Sequence, residues 1–267
     1  MKNEDLKLIN GALIEAIPAM LAKGRGNETR RLLAQHECLL RRKADGRYIA
    51  VCTGSNFQLL LRDSKTRHQC ETFLSNPAFP ESESIRNVQA MLDFLGVDRE
   101  YGDRHDLSLT AEPPALSFAG FDRYRRPLWL HENAAKSWQR MQNAANDDGI
   151  IVDAISGYRG HAYQFGIFKR KMARGQTVSE ILKVNAAPGY SEHHSGRAID
   201  IGTPGEPPAE ESFENTEAFS WLREHAQDFG FRLSYPRDNP HDINYEPWHW
   251  YFAGGTLVPT VLRDYRD

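Results

Sequence analysis

The feature that most constrains this chain is the ten-residue stretch Ser191–Asp200, which reads SEHHSGRAID. It places two histidines, a glycine and an aspartate directly before an apolar, strand-like step. His193 and Asp200 are seven residues apart, too far for one helical turn but well suited to a loop that feeds a strand. Gly196 permits the tight backbone path that would bring the two side chains together. The stretch therefore predicts a polar site at the start of a strand.

A second polar segment near the C-terminus, Glu246–Trp250, adds one histidine and one more carboxylate. His193, Asp200 and His249 are side chains of the kind that zinc prefers, and three protein ligands with an open position are typical of catalytic zinc. Such a set leaves the ion positive enough to activate water. Glu246, three residues before His249, is predicted as the general base and acid. Any one of these residues alone would be read as a packed core side chain, but their joint occurrence predicts a metal-dependent hydrolase.

Two other histidines compete for the metal. Adjacent side chains on an extended segment point in opposite directions, so only one of His193 and His194 is expected to reach the ion. His241, followed by Asp242, is a second competitor upstream of Glu246. We expect His194 and His241 to lie behind the ligands or on the surface.

Composition limits the partners and the compartment. The 267 residues carry a formal net charge of −3, which gives no sign of a surface for nucleic acid or an anionic membrane. The charged N-terminus shows no secretory pattern and no segment is long enough to span a bilayer, which predicts a cytoplasmic protein. Cys38, Cys52 and Cys70 are an odd number without metal spacing, and they are predicted to be free, mostly buried thiols.

Paired prolines within Ala111–Pro114 predict a domain boundary. The predicted division is an N-terminal α+β accessory domain of unknown role over residues 1–112 and a catalytic domain over residues 113–267. In the first domain, apolar spacing predicts helices over about 5–40, interrupted at Gly24–Asn27. Residues 47–52 and 57–61 are predicted as a strand hairpin, and Ser84–Leu95 as an amphipathic helix.

The second part of the chain alternates between predicted strands and helices. The predicted strands are Leu128–Leu130, Ile150–Ile155, Phe231–Tyr235 and Trp248–Phe252. The predicted helices are His131–Ala145, His161–Ala173, Val178–Val184 and Glu217–Phe229.

Three blocks in this part carry a resemblance to a known family. They are Ser156-Gly157-Tyr158-Arg159 with Gln164, Ser191-x-His193-x-x-Gly196-x-Ala198-x-Asp200, and Glu246-x-Trp248-His249. Together they resemble the VanY-type D-alanyl-D-alanine carboxypeptidases, which share the LAS-type (lysostaphin, D-Ala-D-Ala peptidase, Sonic hedgehog) metallopeptidase fold. The resemblance covers roughly residues 115–255. It implies an α+β fold whose core is a small antiparallel sheet flanked by helices.

The same resemblance implies roles for individual residues. It implies Zn²⁺ as cofactor, with His193, Asp200 and His249 as its ligands and Glu246 as the general base and acid. Arg159 is the implied cation that faces the substrate, and a guanidinium can bind a carboxylate in bidentate fashion or stabilise an oxyanion. Gln164 and Ser191 are further implied substrate contacts, and local capping is the alternative for Ser191. Tyr235 is a weaker substrate candidate.

The implied partner is a peptidoglycan stem peptide or muropeptide. A cytoplasmic enzyme would meet recycled stems, which usually arrive as tetrapeptides, so we expect L,D-carboxypeptidase activity on tetrapeptides in wall recycling. D,D-carboxypeptidase activity on pentapeptides is the near alternative. A zinc-stabilised binding module is the alternative from another class, and an intact Glu246 argues against it because a structural site needs no base. A phage-type endopeptidase is disfavoured because the sequence shows no wall-binding repeat.

Overall fold

The computed structural model describes residues 6–61, 64–76 and 84–254. Helices and two antiparallel sheets confirm the predicted α+β class. The strands are β1 Lys7–Asn10, β2 Ile14–Pro18, β3 Cys38–Arg42, β4 Tyr48–Thr53, β5 Asn56–Leu59, β6 Ala115–Phe121, β7 Pro127–Leu130, β8 Asp153–Ser156, β9 Ala198–Gly202, β10 Phe231–Leu233 and β11 His249–Phe252. The helices are α1 Asn27–Ala34, α2 Ser64–Ser75, α3 Val88–Leu95, α4 Tyr101–Arg104, α5 Glu132–Asp147, α6 His161–Met172, α7 Val178–Leu182 and α8 Glu217–His225.

The larger sheet has seven strands in the order β5-β4-β3-β2-β1-β6-β7. Its strand β1 pairs with β2 on one side and with β6 on the other, where Leu8 lies opposite Leu116. Five strands come from before the predicted boundary at residue 112 and two from after it. The sheet is therefore continuous across that boundary, and the division into two domains stays a prediction.

The helices predicted over residues 5–40 are wrong for most of the described part of that range. Residues Lys7–Asn10 and Ile14–Pro18 are strands, and only Asn27–Ala34 forms an α-helix. Positions 14–17 of β2 are all buried, so the usual strand alternation is hidden and the apolar spacing imitates a helix. Long-range pairing with β3 and β6 decides the outcome.

The prediction of three free thiols is also wrong. Cys38 on β3 lies directly opposite Cys52 on β4, with their Cα atoms 5.1 Å apart, and the two form a disulfide. This separation is within the range that a disulfide spans. Cys70 is a buried thiol outside that bond. The spacing of 14 residues did not reveal the pair because only the strand register brings the two cysteines together.

The smaller sheet, β10-β11-β9-β8, carries the polar segments singled out above. Helix α5 contacts β6 and β7 of the larger sheet, and its buried face shares one core of large buried side chains with the strands of the smaller sheet. This core includes Trp138, Met141, Ile199, Phe213, Leu222, Phe231 and Trp250. A small antiparallel sheet flanked by helices is thus confirmed as the second unit of the fold.

Outside residues 5–40, most predicted helices and strands are confirmed, with shifted ends. The hairpin β4–β5, strand β7 and helices α5 and α6 lie where they were predicted. The predicted strand over Ile150–Ile155 begins only at Asp153, and the predicted helix over Ser84–Leu95 becomes regular only at Val88. Strand β10 ends at Leu233, so Tyr235 lies in the loop that follows. None of the described helices has the length and apolar character needed to cross a membrane.

Candidate active site

The centre of the site is set by the register of two strands. Asp200 on β9 lies directly opposite His249 on β11, and His193 reaches the same point from the 3-10 turn Glu192–Ser195. Asp200 Oδ1 is 3.2 Å from His193 Nε2 and 3.1 Å from His249 Nδ1. One ligand atom from each residue lies within 4.8 Å of the others, and all three residues are buried. Neighbouring antiparallel strands hold such a cluster rigidly.

Gly196 makes the turn into β9 possible. Its φ of +68° lies in the left-handed region, and its carbonyl accepts a hydrogen bond from His131 N at 2.7 Å. A Cβ at this position would lie 2.4 Å from Leu116 Cδ2. Both the backbone conformation and the close approach therefore require glycine here.

The hydrogen bonds of the two histidines set which nitrogen faces the cluster. His193 Nδ1 donates to Gly157 O at 2.7 Å, which directs Nε2 toward the cluster. That Nε2 atom is buried, and none of the hydrogen bonds in the described residues satisfies it. His249 presents its other nitrogen to the cluster: its Nδ1 faces Asp200, and its Nε2 faces Glu192 Oε2 at 2.8 Å. An orphaned buried nitrogen beside a carboxylate and a second oriented imidazole fits a zinc site.

Electrostatics support the same arrangement. Burial lowers the pKa of His193 to about 4, so its ring is neutral at physiological pH. Burial also opposes the charged form of His249, but hydrogen bonds to Asp200 and Glu192 outweigh it and raise the pKa of His249 to about 10. Burial opposes ionisation of Asp200 as well, yet the two histidines hold its pKa well below the usual range. At neutral pH the cluster therefore offers the carboxylate of Asp200 and the neutral imidazole of His193, while His249 carries a proton that a bound metal ion would displace.

Glu246 lies at the edge of this cluster. Its Oε2 is 3.9 Å from His249 Nδ1, and its side chain is 14% exposed. Burial raises the pKa of Glu246 to about 7, with Asp200 adding to the rise and His249 opposing it. A carboxyl with a pKa near neutrality can both accept and return a proton.

Arg159 lies on the turn between β8 and α6. Its Nη2 is 3.9 Å from Asp200 Oδ2, and its side chain is 22% exposed. Its Nε is buried without a hydrogen-bond partner among the described residues. The guanidinium therefore keeps donor capacity for a ligand while it lies beside the cluster.

The three predicted substrate contacts have different surroundings. Gln164 on α6 is buried, and its Nε2 donates to Ala186 O at 2.8 Å, while its Oε1 finds no partner in the described residues. Ser191 is buried at the start of the 3-10 turn, and its side chain makes no capping bond within the described part of the chain. Tyr235 is buried with its ring centroid 4.7 Å from that of His249. Tyr235 therefore packs against a ligand candidate, although the strand β10 does not extend to it.

The two competing histidines point elsewhere. His194 Nδ1 donates to Arg159 O at 2.6 Å, and its Nε2 accepts from Gly189 N at 3.1 Å. His241 Nδ1 contacts His105 O at 2.9 Å. Neither belongs to the group of possible metal ligands found among the described residues.

Two glutamates at or near the site were missed by sequence reasoning. Glu192 contacts His249 Nε2, as described above, and its place next to His193 in the ligand stretch was the signal that could have found it. Glu112 contacts the turn that carries Arg159, with Tyr158 OH donating to its Oε2 at 2.8 Å. Nothing in the local sequence pairs Glu112 with that turn, because Tyr158 is 46 residues away.

The candidate site lies in a part of the chain that is similar to known proteins. The profile of the VanY family, D-alanyl-D-alanine carboxypeptidase, matches residues 127–255, which contain all the candidate site residues. YodJ of Bacillus subtilis (strain 168), which is named as a carboxypeptidase, is 32% identical over 192 residues, or 67% of this chain and 66% of that protein. VanXYC of Enterococcus gallinarum, named as a bifunctional D-Ala-D-Ala dipeptidase and carboxypeptidase, is 29% identical over 176 residues, or 61% of this chain and 90% of that protein.

A solved structure of VanYB in complex with D-alanine-D-alanine is also similar. It is 31% identical, with a TM-score of 0.41, and the match covers 48% of this chain and 73% of that one. With the profile match and the sequence relatives, residues 127–255 of this chain are those of a VanY-type D-alanyl-D-alanine carboxypeptidase domain.

Proposed function

We propose that the protein is a zinc-dependent carboxypeptidase that removes the terminal D-alanine from peptidoglycan stem peptides. The observation that carries this proposal is the buried cluster of His193, Asp200 and His249 with Glu246 beside it. The first three would hold the ion. A zinc ion at this position supplies Lewis-acid activation of water and of the scissile carbonyl.

The proton transfers are assigned to Glu246. As the carboxylate, it accepts a proton from the attacking water, and as the acid it delivers that proton to the departing amine of D-alanine. Its position within 4 Å of His249, with only 14% of its side chain exposed, supports this role, because such a carboxyl is close to the reacting atoms and largely shielded from bulk water.

Removal of a terminal residue also requires recognition of a free carboxylate. Arg159 is the residue proposed for that contact, because its guanidinium is beside the cluster and its Nε is not used by the described residues. Two parallel N–H donors match a carboxylate geometrically. Gln164 Oε1, Ser191 and Tyr235 are proposed as further substrate contacts around the same space.

A zinc-stabilised binding module is less well supported. A structural zinc site is usually closed by four protein ligands. Here three candidate ligands converge, and the neighbouring carboxylate of Glu246 is 3.9 Å from one of them rather than within the cluster.

The finer proposal is L,D-carboxypeptidase activity on tetrapeptides, as in cytoplasmic recycling of muropeptides. D,D-carboxypeptidase activity on pentapeptides is the second candidate, and one observation favours it. The Cys38–Cys52 disulfide is of a type that is rare in the reducing cytoplasm. The disulfide therefore weakens the argument that a cytoplasmic location favours tetrapeptide substrates. The remaining guide to specificity is the family name, which specifies a D-Ala-D-Ala terminus.

Mass spectrometry of defined stem peptides tests both levels of the proposal. Zinc-loaded protein is incubated separately with tripeptide, tetrapeptide and pentapeptide stems. Loss of one D-alanine from the tetrapeptide supports L,D activity, and conversion of pentapeptide to tetrapeptide supports D,D activity. If all three peptides stay intact, the carboxypeptidase proposal is wrong.

A further inference from the structure

A buried set of polar side chains joins the N-terminal segment to the turn that carries Arg159. We call it the Glu112 network. Its members are Asn10, Lys43, Glu112, Tyr158 and His161. The side chain of Glu112 is 3% exposed and that of Lys43 is 8% exposed. Buried charges of this kind persist only where they are paired and hydrogen-bonded.

Glu112 is the acceptor at the centre of the network. Its Oε2 forms an ion pair with Lys43 Nζ and accepts from Asn10 Nδ2 at 3.1 Å and from Tyr158 OH at 2.8 Å. Its Oε1 accepts from His161 N at 2.7 Å. A carboxylate accepts about four hydrogen bonds. The position of this carboxylate is therefore fixed from several directions at once.

One of these bonds serves the start of helix α6. The helix begins at His161, and its N-cap residue, Gly160, has no side chain that could cap it. Glu112 supplies the missing acceptor from a distant segment and places negative charge at the helix N-terminus, where it is stabilising. A Cβ on Gly160 would lie 3.1 Å from Glu112 Oε1, so the carboxylate lies directly against this turn.

Arg159 lies between residues that Glu112 holds. Tyr158 precedes it and His161 follows two positions later, and both are bonded to Glu112. The backbone of Arg159 is bonded on its other side to the 3-10 turn Glu192–Ser195, which we call the ligand loop. Its N–H donates to His193 O at 3.3 Å, and its carbonyl accepts from His194 Nδ1. The direction in which the guanidinium leaves the turn is thus set jointly by the Glu112 network and the ligand loop.

We propose that Glu112, held by Lys43 and Asn10, is a positioning residue that orients Arg159 toward the substrate. The inference rests on the proposed function, because it concerns the residue assigned to the substrate carboxylate. It gives the N-terminal segment a role: Asn10 ends β1 and Lys43 follows β3, so the larger sheet supports the substrate side of the site. Misplacement of a binding group by about 1 Å can cost roughly 100-fold in rate.

A double-mutant cycle between Glu112 and Arg159 tests whether Glu112 affects activity through the position of Arg159. We expect Glu112→Gln to lower kcat/KM for D-alanine release by about 10- to 100-fold, with zinc content unchanged. In the Arg159→Ala background the same change is expected to lower kcat/KM by less than about twofold, because its effect is transmitted through Arg159. Tyr158→Phe removes one hydroxyl from the network and serves as the milder variant if Glu112→Gln does not fold.

Glu15→Gln is the matched control. Glu15 is a buried carboxylate on β2 of the larger sheet, paired with Arg41 at 2.5 Å, and it makes none of the hydrogen bonds of the Glu112 network. We expect Glu15→Gln to leave kcat/KM within about twofold of the wild type, since a loss of sheet stability alone should not move the guanidinium.

Hydrogen exchange provides a readout that needs no activity. The amide of His161 is bonded to Glu112, so Glu112→Gln is expected to speed its exchange, while Glu15→Gln leaves it unchanged. If wild-type protein releases no D-alanine, the proposed function fails, and the exchange data still decide whether Glu112 holds the turn. Equal losses of kcat/KM in both Arg159 backgrounds, or unchanged His161 exchange in Glu112→Gln, would overturn the positioning role.

Discussion

Replacement of Glu192 tests whether this glutamate orients His249, the third candidate zinc ligand. Glu192 Oε2 is 2.8 Å from His249 Nε2, and Asp200 faces the other nitrogen of the same ring. With the Nε2 proton bound to Glu192, the lone pair of Nδ1 is directed at the point where His193 Nε2 and Asp200 Oδ1 converge. Carboxylate–histidine–metal contacts of this kind typically contribute about 10- to 100-fold to metal affinity.

Two replacements of Glu192 should lower zinc affinity to different extents. Glu192→Gln keeps an oxygen that can accept from His249 Nε2 but loses the charge, and we expect zinc affinity to fall by about tenfold. Glu192→Leu removes the acceptor as well, and a loss of about 100-fold is expected, equivalent to roughly 2.7 kcal/mol. Burial opposes the ionised form of Glu192, but the hydrogen bond from His249 outweighs it and lowers the pKa of Glu192, so the carboxylate is charged at neutral pH.

Equilibrium competition with a chromogenic chelator measures these affinities directly. Glu214→Gln is the control, because Glu214 pairs with Arg237 at the surface and contacts none of the three ligand candidates. The control should bind zinc as the wild type does. Wild-type affinity in Glu192→Leu would refute the assignment of Nδ1 of His249 as the ligand atom held by this contact.

Three further predictions follow from particular residues. Glu246→Ala should retain zinc, measured by metal analysis, while D-alanine release falls by about 10²- to 10⁴-fold; retained turnover would remove Glu246 from the mechanism. Gly196→Ala should lower the melting temperature more than Gly205→Ala, since both glycines have positive φ but a Cβ would clash only at Gly196, and about 1–3 kcal/mol of backbone strain is common to both. Burial opposes ionisation of Glu112, but Lys43 and His161 lower its pKa from 4.5 to about 2. The lowered pKa of Glu112 contributes about 3 kcal/mol to the free energy of unfolding above pH about 4.5, and this contribution is lost as the pH falls toward 2. When the free energy of unfolding is measured against pH, Glu112→Gln should therefore show a shallower decrease on the acid side.

The convergence of His193, Asp200 and His249 could be predicted from sequence because the residue types and spacings that indicate it are local. His193 and Asp200 share one stretch, and residue type with spacing already limits how they can be used. His249 is distant in sequence, but its own segment contains Glu246 and the tryptophans of a strand. The register of β9 and β11 then brings His249 opposite Asp200. The cluster forms if these two segments meet, and the pairing of β9 with β11 brings them together.

The N-terminal segment could not be predicted in the same way. Buried strands such as Ile14–Pro18 lack the alternation that distinguishes a strand from a helix, and their partners lie far along the chain. The Glu112 network also depends on partners that are distant in sequence, since Asn10 and Glu112 are 102 residues apart. The disulfide between Cys38 and Cys52 also depends on strand register rather than on a motif. Contacts of this range become visible only in the folded chain.

A zinc titration of chelator-treated protein, followed by D-alanine release from stem peptides, tests whether catalysis depends on this site. No release is expected before zinc is added, and the rise on adding zinc should saturate at one zinc per chain, with His193→Ala inactive throughout. Release that is unaffected by the chelator, or full activity in His193→Ala, would contradict a zinc site formed by His193, Asp200 and His249.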